Sequence, residues 1–382
     1  MQISYTKQSI SYSDINEVTK ALKSKFITQG PLVNIFEKKL KKRFKCKNVV
    51  VVNNGSSALI LAGKVLNWKR GDYIAVPPIT FLSSVNAIEH LGARPLFIDI
   101  NMKDYCMDAD KLEEKLKKDK YKKIKSAIIT DYGGQPADWK KFLRLKKKYG
   151  IKLINDNCHA IGSRIDNNSG YACKYADITT LSFHPAKAIT TGEGGAVLSN
   201  DKNLYHRLKL LRSHGIERKE KKYWSYKMNE LGYNFRLPDI NCALGISQLK
   251  RLDKFIIKRR KIAKIYDNFF SKYDIFQIPK NISHNFNSYH LYPLLINFKK
   301  IKISKDFVIK KFLKFKIKLQ VHYIPVNSQP FYQKRYSYKK KDFRNSIMFY
   351  DQELSLPIYN DLSKKNINFF LSTCKKIFNL KS

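Results

Sequence analysis

Hydrophobic and polar residues along the first 240 positions predict strands and helices in turn. The run Val49–Val52 predicts a buried strand, and the spacing of apolar residues over Ser56–Leu66 predicts a helix directly after it. The same pattern predicts strands at Tyr73–Val76, Pro95–Ile98, Ala127–Thr130, Lys152–Ile154, Ile178–Phe183 and Ala196–Leu198, with helices at Ser83–Leu91, Asp110–Lys117 and Trp139–Tyr149. Strands that alternate with helices are typical of an α/β fold with a mostly parallel sheet.

The chain on either side of this alternation is mainly helical. An amphipathic helix is predicted to begin at Ser13 or Asp14, and Gly30 and Pro31 are expected to interrupt regular structure after it. Further helices are predicted at Val33–Phe44, Ile240–Leu252, Phe255–Lys272, near Phe307–Leu313 and near Lys364–Phe378. We therefore expect a large α/β domain with an N-terminal arm over residues 1–250, and a smaller α+β domain over residues 251–382.

Composition narrows the class of protein. Of the 382 residues, 43% are hydrophobic and 13% aromatic, which is typical of a globular chain. No run of about 18 apolar residues occurs and the N-terminus lacks an apolar signal core, so we expect a cytoplasmic protein without a membrane partner. The six cysteines form no CxxC pair, which disfavours both a zinc site and a disulfide framework, and no metal is expected.

The formal net charge of +43 raises the question of an anionic partner. The excess is lysine spread along the whole chain beside abundant Ile, Asn, Tyr and Phe, a pattern that AT-rich coding sequences produce. The sequence has no basic arm, zinc-finger spacing or RNP-like aromatic motif, so nucleic acid is not expected as a partner. An anionic small-molecule substrate would be attracted by this charge.

The stretch SFHPAKAITTGEGGAVLS, residues 182–199, contains one lysine among apolar and small residues. Burial lowers the pKa of an amine and leaves more of it as a free nucleophile, which is what a lysine that forms a Schiff base needs. Lys187 is therefore a candidate catalytic residue. The alternative is a surface hairpin in which Lys187 is isolated by chance.

Three further motifs follow predicted strands, where open α/β sheets bind ligands. NNGSSA (53–58) places Gly55 and two hydroxyls at a helix N-terminus, which suits a phosphate, although an ordinary N-cap would look the same. Asp156 could pair with a ring-nitrogen cation, with His159 within reach of the same ligand, or could simply cap the next turn. Phe81 could stack on a planar cofactor or could be a core residue.

Two polar and aromatic segments, GYNFR (232–236) and QVHYIP (320–325), are candidate loops over a cleft. Together the motifs supply a phosphate cradle, a stacking ring, a carboxylate for a ring nitrogen and a lysine in apolar surroundings. Pyridoxal phosphate requires this set, because it binds through a lysine Schiff base and an aspartate at its pyridinium nitrogen. Lys187, once released, would move the proton between the substrate Cα and C4′ of the cofactor.

The sequence resembles the DegT/StrS-type sugar aminotransferases, a pyridoxal-phosphate family of fold type I. The matching blocks occur in order over about Tyr5 to Pro357: ITQGP, NNGSSAL, PPITF, DNCHAIGS, SFHPAKAITTGEGGAVLS, RSHGI, ELGYNFRLPDINCALGISQL, HLYP and VHYIP. The resemblance implies a large, mostly parallel-sheet domain with a smaller C-terminal domain, and a homodimer with shared active sites.

The resemblance also implies roles for individual residues. Lys187 would carry the cofactor as an internal aldimine, Asp156 would pair with its ring nitrogen, and Phe81 would stack on the ring. His159 would lie near the ring face or its phenolic oxygen, and Asn234 would reach the phosphate of the neighbouring subunit. The phosphate of the subunit's own cofactor would be held by Gly55, Ser56, Ser57 and Ser182.

Within the family, the likeness is strongest to members that aminate C4 of a UDP-linked 4-keto-6-deoxy-N-acetylhexosamine with L-glutamate, for pseudaminic acid and the glycosylation of flagellin or surface polysaccharide. By this analogy the nucleotide sugar would contact Tyr5, Lys25, Phe26, Ile27, Thr28, Gln320, Val321, His322 and Tyr323. The alternatives are another UDP- or dTDP-linked 4-amino-4,6-dideoxy sugar as product, and a non-catalytic relative that binds the cofactor.

Overall fold

The computed structural model describes residues 2–218, 224–280 and 282–380. Among these residues the strands are β1 (Asn48–Val52), β2 (Tyr73–Val76), β3 (Arg94–Phe97), β4 (Ile124–Thr130), β5 (Lys152–Asp156), β6 (Arg164–Ile165), β7 (Ile178–Ser182), β8 (Gly195–Ser199), β9 (Ile216–Arg218), β10 (Tyr226–Met228), β11 (Phe276–Gln277), β12 (Asn285–Phe286), β13 (Pro293–Ile296) and β14 (Glu353–Ser355). The predicted strands of the first 240 residues are all present, most of them longer or shorter by one or two residues.

The helices over the same described ranges are α1 (Tyr12–Leu22), α2 (Pro31–Phe44), α3 (Gly55–Val65), α4 (Leu82–His90), α5 (Ala109–Lys118), α6 (Trp139–Tyr149), α7 (Tyr171–Tyr175), α8 (Lys202–Arg212), α9 (Asp239–Phe270), α10 (Phe298–Ile301), α11 (Lys305–Lys314), α12 (Pro330–Tyr336), α13 (Arg344–Gln352) and α14 (Lys364–Phe378). Within the described part of the chain, none of these helices has the length and apolar character that crossing a bilayer requires.

A seven-stranded sheet with the order β1-β8-β7-β5-β4-β2-β3 forms the centre of the fold. β8 is antiparallel to both of its neighbours, β1 and β7, and the other pairs are parallel. Since six strands run the same way, Val52, Val76, Thr130, Asp156 and Ser182 all end at one edge. The loops that carry the predicted site residues therefore start from this edge, as expected for a ligand site in an open α/β sheet.

Both faces of the sheet are buried, which explains the uninterrupted apolar run in β1. Successive side chains of a strand point to opposite faces. Val50 and Val52 accordingly pack in the core formed with α3, α4 and α8, whereas Val49 and Val51 pack in the core formed with α2 and α9. An apolar residue is needed at every position, so the strand does not alternate.

Two predictions about the N-terminal helices are corrected. α1 is capped by Ser11, not by Ser13 or Asp14, because the Ser11 backbone N–H donates to the Asp14 carboxylate at 2.8 Å and Ser11 Oγ accepts from Asp14 N. Pro31 does not interrupt structure but begins α2, where its missing N–H costs no hydrogen bond. The Asp239 carboxylate accepts from Gly30 N at 2.7 Å and so supports the start of α2.

α9 replaces the two helices predicted on either side of Asp253. This residue lies on the exposed face of one continuous helix and pairs with Arg43 at 2.8 Å. Position 250, the expected domain boundary, therefore falls inside α9 and not at a break in structure. The residues after α9 form a separate apolar core with its second half, and contribute the three-stranded sheet β11-β13-β14.

Candidate active site

A cavity of about 610 Å³ opens at the carboxyl edge of the sheet. Its walls come from the loops after β1, β2, β4, β5 and β7. Residues 320–323 close one side, and Gln320 forms a β-bridge with Ser355 of β14. Among the predicted site residues, the cavity is lined by Tyr5, Gly55, Ser56, Phe81, Asp156, His159, Ser182, Lys187, Gln320, Val321, His322 and Tyr323. Residues that are 318 positions apart in the chain thus meet in one site.

The N-terminus of α3 forms one end of the cavity. Asn54 caps the helix by accepting from Ser57 N at 2.8 Å, which leaves the N–H groups of Gly55 and Ser56 at the cavity wall. A Cβ on Gly55 would lie 2.9 Å from the Cβ of Ser182, so only glycine lets the turn sit against this serine. Asn54 therefore caps the helix, and the N–H groups of Gly55 and Ser56 remain available to an anion. This end of the cavity fits a phosphate.

Asp156 ends β5 and is 4% exposed. Its carboxylate accepts from Ser84 Oγ at 2.7 Å and from Cys158 N at 3.3 Å. The second contact is the turn cap that was the alternative reading, and the first holds the carboxylate in place at the cavity. A buried carboxylate with two donors still favours a positive partner, so this group fits a protonated ring nitrogen.

Phe81 is not a core residue. Its side chain is 54% exposed at the cavity, and its ring centroid lies 6.0 Å from that of Tyr323. An aromatic ring with an open face is available to stack on a planar cofactor.

Lys187 is partly buried in the turn between β7 and β8. Burial lowers the pKa of its amine, while Cys158 and Asp156 act in the opposite direction. Three buried imidazoles lie near it: burial together with the positive charge of Lys187 lowers the pKa values of His159, His290 and His322. These histidines are therefore neutral around neutral pH and act as hydrogen-bonding groups.

His159 has a defined pattern of hydrogen bonds. Gly133 N donates to its Nδ1 at 3.4 Å, so the ring proton is on Nε2, which lies 2.9 Å from the Tyr323 hydroxyl. With Nε2–H as the donor, the proton of Tyr323 Oη is free to point to a ligand. The planes of the two rings are inclined by 28°, and their centroids are 6.0 Å apart.

Some predicted residues lie outside this cavity. Ser57 is buried behind the turn, its N–H taken by Asn54. Asn234 is exposed on a segment whose neighbour Phe235 accepts from Asn53 N at 3.0 Å. Lys25, Phe26, Ile27 and Thr28 are exposed between α1 and α2, away from the cavity wall.

The cavity also contains residues that were not predicted. Asn54, Thr80 and Thr130 follow or end strands as Asp156 does, so strand-end position alone could have identified them. His290 comes from the C-terminal part of the chain, and no local pattern marks it. Its Nδ1 is buried and has no hydrogen-bond partner among the described residues.

The sheet order and the lysine–aspartate cavity at its edge fit a fold type I aminotransferase, which is the class of the solved structures that the chain resembles. The chain belongs to the DegT/DnrJ/EryC1/StrS aminotransferase family, whose model matches residues 8–372.

Relatives cover almost the whole chain. It is 40% identical over 371 residues to a UDP-4-amino-4,6-dideoxy-N-acetyl-beta-L-altrosamine transaminase of Campylobacter jejuni, a match that spans 97% of this chain and 96% of the relative. The solved structure of Helicobacter pylori PseC, an aminotransferase in pseudoaminic acid biosynthesis, has a TM-score of 0.92 at 30% identity and covers 99% of this chain and 100% of its own. The PLP form of the sugar aminotransferase Spr1654 from Streptococcus pneumoniae has a TM-score of 0.89 at 25% identity, with 99% of both chains covered.

Proposed function

We propose that this protein uses pyridoxal 5′-phosphate to transfer an amino group from L-glutamate to C4 of a UDP-linked 4-keto-6-deoxy-N-acetylhexosamine. The observation that carries the proposal is the meeting of Lys187, Asp156 and the N-terminus of α3 in one cavity beside an exposed Phe81. The relatives named above support the choice of sugar. A cytoplasmic enzyme of pseudaminic-acid-type synthesis, supplying flagellin or surface polysaccharide glycosylation, would fit its six free thiols.

The bound cofactor would supply an electron sink for the carbanion at the carbon that loses its proton. Lys187, with its pKa lowered by burial, takes up and returns that proton. Asp156 holds a positive charge on the cofactor ring in place, and the N–H groups of Gly55 and Ser56 with the hydroxyl of Ser182 hold the phosphate end. His159, being neutral, donates through Nε2 to the hydroxyl of Tyr323.

A homodimer with shared sites is part of this proposal. Several large apolar side chains are exposed near the N-terminus and around β10, among them Tyr12 at 83% and Leu231 at 71%. Such a concentration of exposed apolar residues is typical of a subunit interface. Asn234, close to Leu231 and outside the cavity of its own chain, would then reach the phosphate in the neighbouring subunit.

The cofactor and the lysine are tested together. Purified protein supplied with pyridoxal phosphate is expected to absorb in the visible range, and borohydride reduction is expected to fix the cofactor on Lys187, as peptide mass spectrometry would show. Lys187→Ala should lose at least about 10⁴-fold in kcat, since the base and the covalent anchor are both removed. A Lys187→Ala variant that still aminates sugar would exclude the proposed mechanism.

The substrate is tested with glutamate and a panel of UDP- and dTDP-linked 4-keto sugars. Conversion of the UDP-linked N-acetylated hexulose with the highest kcat/KM is expected. Conversion of a dTDP-hexulose alone would exclude the proposed sugar but keep the reaction. No amino transfer from any donor by protein that holds the cofactor would favour the non-catalytic relative.

A further inference from the structure

His322 is held on three sides by residues behind the cavity wall. Its backbone N–H donates to Glu353 Oε2 at 3.0 Å, and its backbone carbonyl accepts from the Tyr132 hydroxyl. Its ring Nδ1 lies 2.8 Å from Ser355 Oγ. The ring is 7% exposed and lines the cavity, where it lies 5.4 Å from the ring of Tyr5.

The direction of the hydrogen bonds fixes the tautomer of His322. Ser355 Oγ has one proton, and it donates this proton to Glu353 Oε1 at 2.5 Å. The hydroxyl can therefore only accept from His322, so the ring proton is on Nδ1. Nε2 carries a lone pair and is the polar ring atom that remains for the cavity.

Glu353 is suited to maintain this arrangement. It is fully buried in β14. Burial raises the pKa of its carboxyl to about 7, although the hydrogen bonds from Ser355 and His322 and the charge of Lys305 favour the ionised form, so the carboxyl is ionised above about pH 7. The ionised carboxylate only accepts, so it orients both the Ser355 hydroxyl and the His322 backbone. Burial lowers the pKa of His322 to about 3, so its ring stays neutral and Nε2 stays an acceptor.

We propose that Glu353 and Ser355 are positioning residues that keep His322 protonated on Nδ1, so that its Nε2 accepts a hydrogen bond from a hydroxyl group of the sugar. This inference rests on the proposed function, because it assigns His322 to the sugar and not to the amino donor. Neither Glu353 nor Ser355 lines the cavity. They act on the substrate only through the tautomer of His322.

Glu353→Gln is the sharpest test because it reverses the tautomer without changing the shape of the side chain. The backbone N–H of His322 still needs an acceptor, which is the side-chain oxygen of the new glutamine. The side-chain NH₂ of this glutamine therefore faces Ser355 Oγ and donates to it. The Ser355 proton then points to Nδ1, and the ring proton of His322 moves to Nε2. A donor would face the sugar hydroxyl where an acceptor was, although this hydroxyl can turn to accept at some cost.

The tautomer of His322 is read by ¹⁵N NMR well above pH 7, where Glu353 is ionised in the wild type. The signal is expected to change from the Nδ1–H to the Nε2–H form in Glu353→Gln. The KM for the nucleotide sugar should rise about 10-fold with kcat changed less than about twofold. The cofactor absorbance change on adding glutamate alone should be unaffected. An unchanged tautomer, or a changed tautomer with an unchanged sugar KM, would overturn the inference.

Ser355→Ala is the second variant, and it removes the acceptor for Nδ1–H. The same rise in sugar KM is expected, without the change to a pure Nε2–H form. Ser346→Ala is the matched control, because Ser346 is also buried and donates to a carboxylate, that of Asp99, at 2.5 Å away from the cavity. A rise in sugar KM in Ser346→Ala as large as in Ser355→Ala would mean a general packing effect and would count against the inference.

Monodeoxy analogues of the sugar identify the hydroxyl. For the analogue that lacks it, wild type and Glu353→Gln should have the same KM, whereas the other analogues should keep the 10-fold ratio. The same ratio for every analogue would show that His322 contacts no sugar hydroxyl. Failure of the proposed function is distinguishable, because the wild type would then show no absorbance change with glutamate while the tautomer measurement still reports on Glu353.

Discussion

Three neutral imidazoles and the carboxylate of Asp156 lie near the amine of Lys187. Burial lowers the pKa values of His159, His290 and His322, so none of them carries a charge that repels Lys187 near neutral pH. Asp156 is a buried carboxylate that can pair with a positive charge in the cavity, and Ser84 fixes its position. A fixed negative charge thus lies at the carboxyl end of β5, where a cofactor ring nitrogen is expected, and Glu193 supplies a second carboxylate at the cavity wall.

Asp156→Asn tests this role. An amide has the same shape but cannot balance a positive ring nitrogen, so kcat should fall by about 10²- to 10³-fold. Rapid-mixing absorbance measurements with glutamate would show the loss in the donor half-reaction. Ser84→Ala, which removes one hydrogen bond and leaves the charge, should cost less than about 10-fold. Equal losses in the two variants would contradict the charge-based role of Asp156.

Asp131 has a structural role next to the site. Its carboxylate accepts from Ala137 N, Trp139 Nε1, Asn155 Nδ2, Asn157 Nδ2 and Tyr171 Oη, at 2.7–3.1 Å. Asp131→Asn would place an NH₂ against these donors, and we expect the free energy of unfolding to fall by about 3 kcal/mol. Denaturant unfolding measures it. Asp138→Asn, in the exposed cap of α6, should cost about 0.5 kcal/mol, and a similar cost in both variants would refute the prediction.

At the scale of elements, the sequence predicts well those site residues whose positions the central sheet determines. Asp156 and Ser182 end strands that are largely buried on both faces, and Gly55 follows another such strand, so the order of strands and helices brings these residues to one edge. His290 and residues 320–323 reach the cavity through the packing of the C-terminal part, and β14 has only three residues. Their approach depends on contacts between distant parts of the chain, which periodicity does not encode.

The helices illustrate the same limit. The sequence analysis predicts two helices separated at Asp253, where the structure has the single helix α9. Leu252, Phe255 and Ile256 keep its buried face continuous, and Asp253 lies on the exposed face, where it pairs with Arg43 and Arg164. α8 has no counterpart among the helices predicted from the sequence, although Asp201 caps it and Leu208 and Leu211 are buried. An amphipathic pattern therefore indicates which residues of a helix are buried, but it does not by itself mark where the helix begins and ends.

β8 packs closely against the turn at the start of α3, and this contact leads to a prediction at the scale of elements. A Cβ on Gly195 would lie 2.5 Å from Asn54 O and 2.8 Å from Leu181 O, both backbone atoms that cannot move independently. Gly195→Ala should therefore displace the turn at the start of α3 and weaken binding of pyridoxal phosphate about 10-fold or more. Titration followed by absorbance measures this affinity.

Gly150→Ala is the control for Gly195→Ala. Gly150 has a φ of +72° at the end of α6, and a Cβ there would meet no atom within 4 Å. The substitution should lower the free energy of unfolding by about 1 kcal/mol through backbone strain and leave cofactor affinity unchanged. If Gly150→Ala weakened the cofactor as much as Gly195→Ala, then general destabilisation would explain both.

At the scale of the whole molecule, the proposed dimer predicts that each active site needs residues from both chains. Lys187 lines the cavity of its own chain, whereas Asn234 is exposed outside it. Lys187→Ala and Asn234→Ala should each be strongly impaired as homodimers. In a heterodimer of the two, one site lacks both residues and the other has both. Co-expression with two affinity tags should therefore restore about a quarter of wild-type kcat in the unsorted mixture, and about half in purified heterodimers. Activity no higher than the mean of the two parents would show that Asn234 serves its own subunit, because complementation requires that each site takes one residue from each chain.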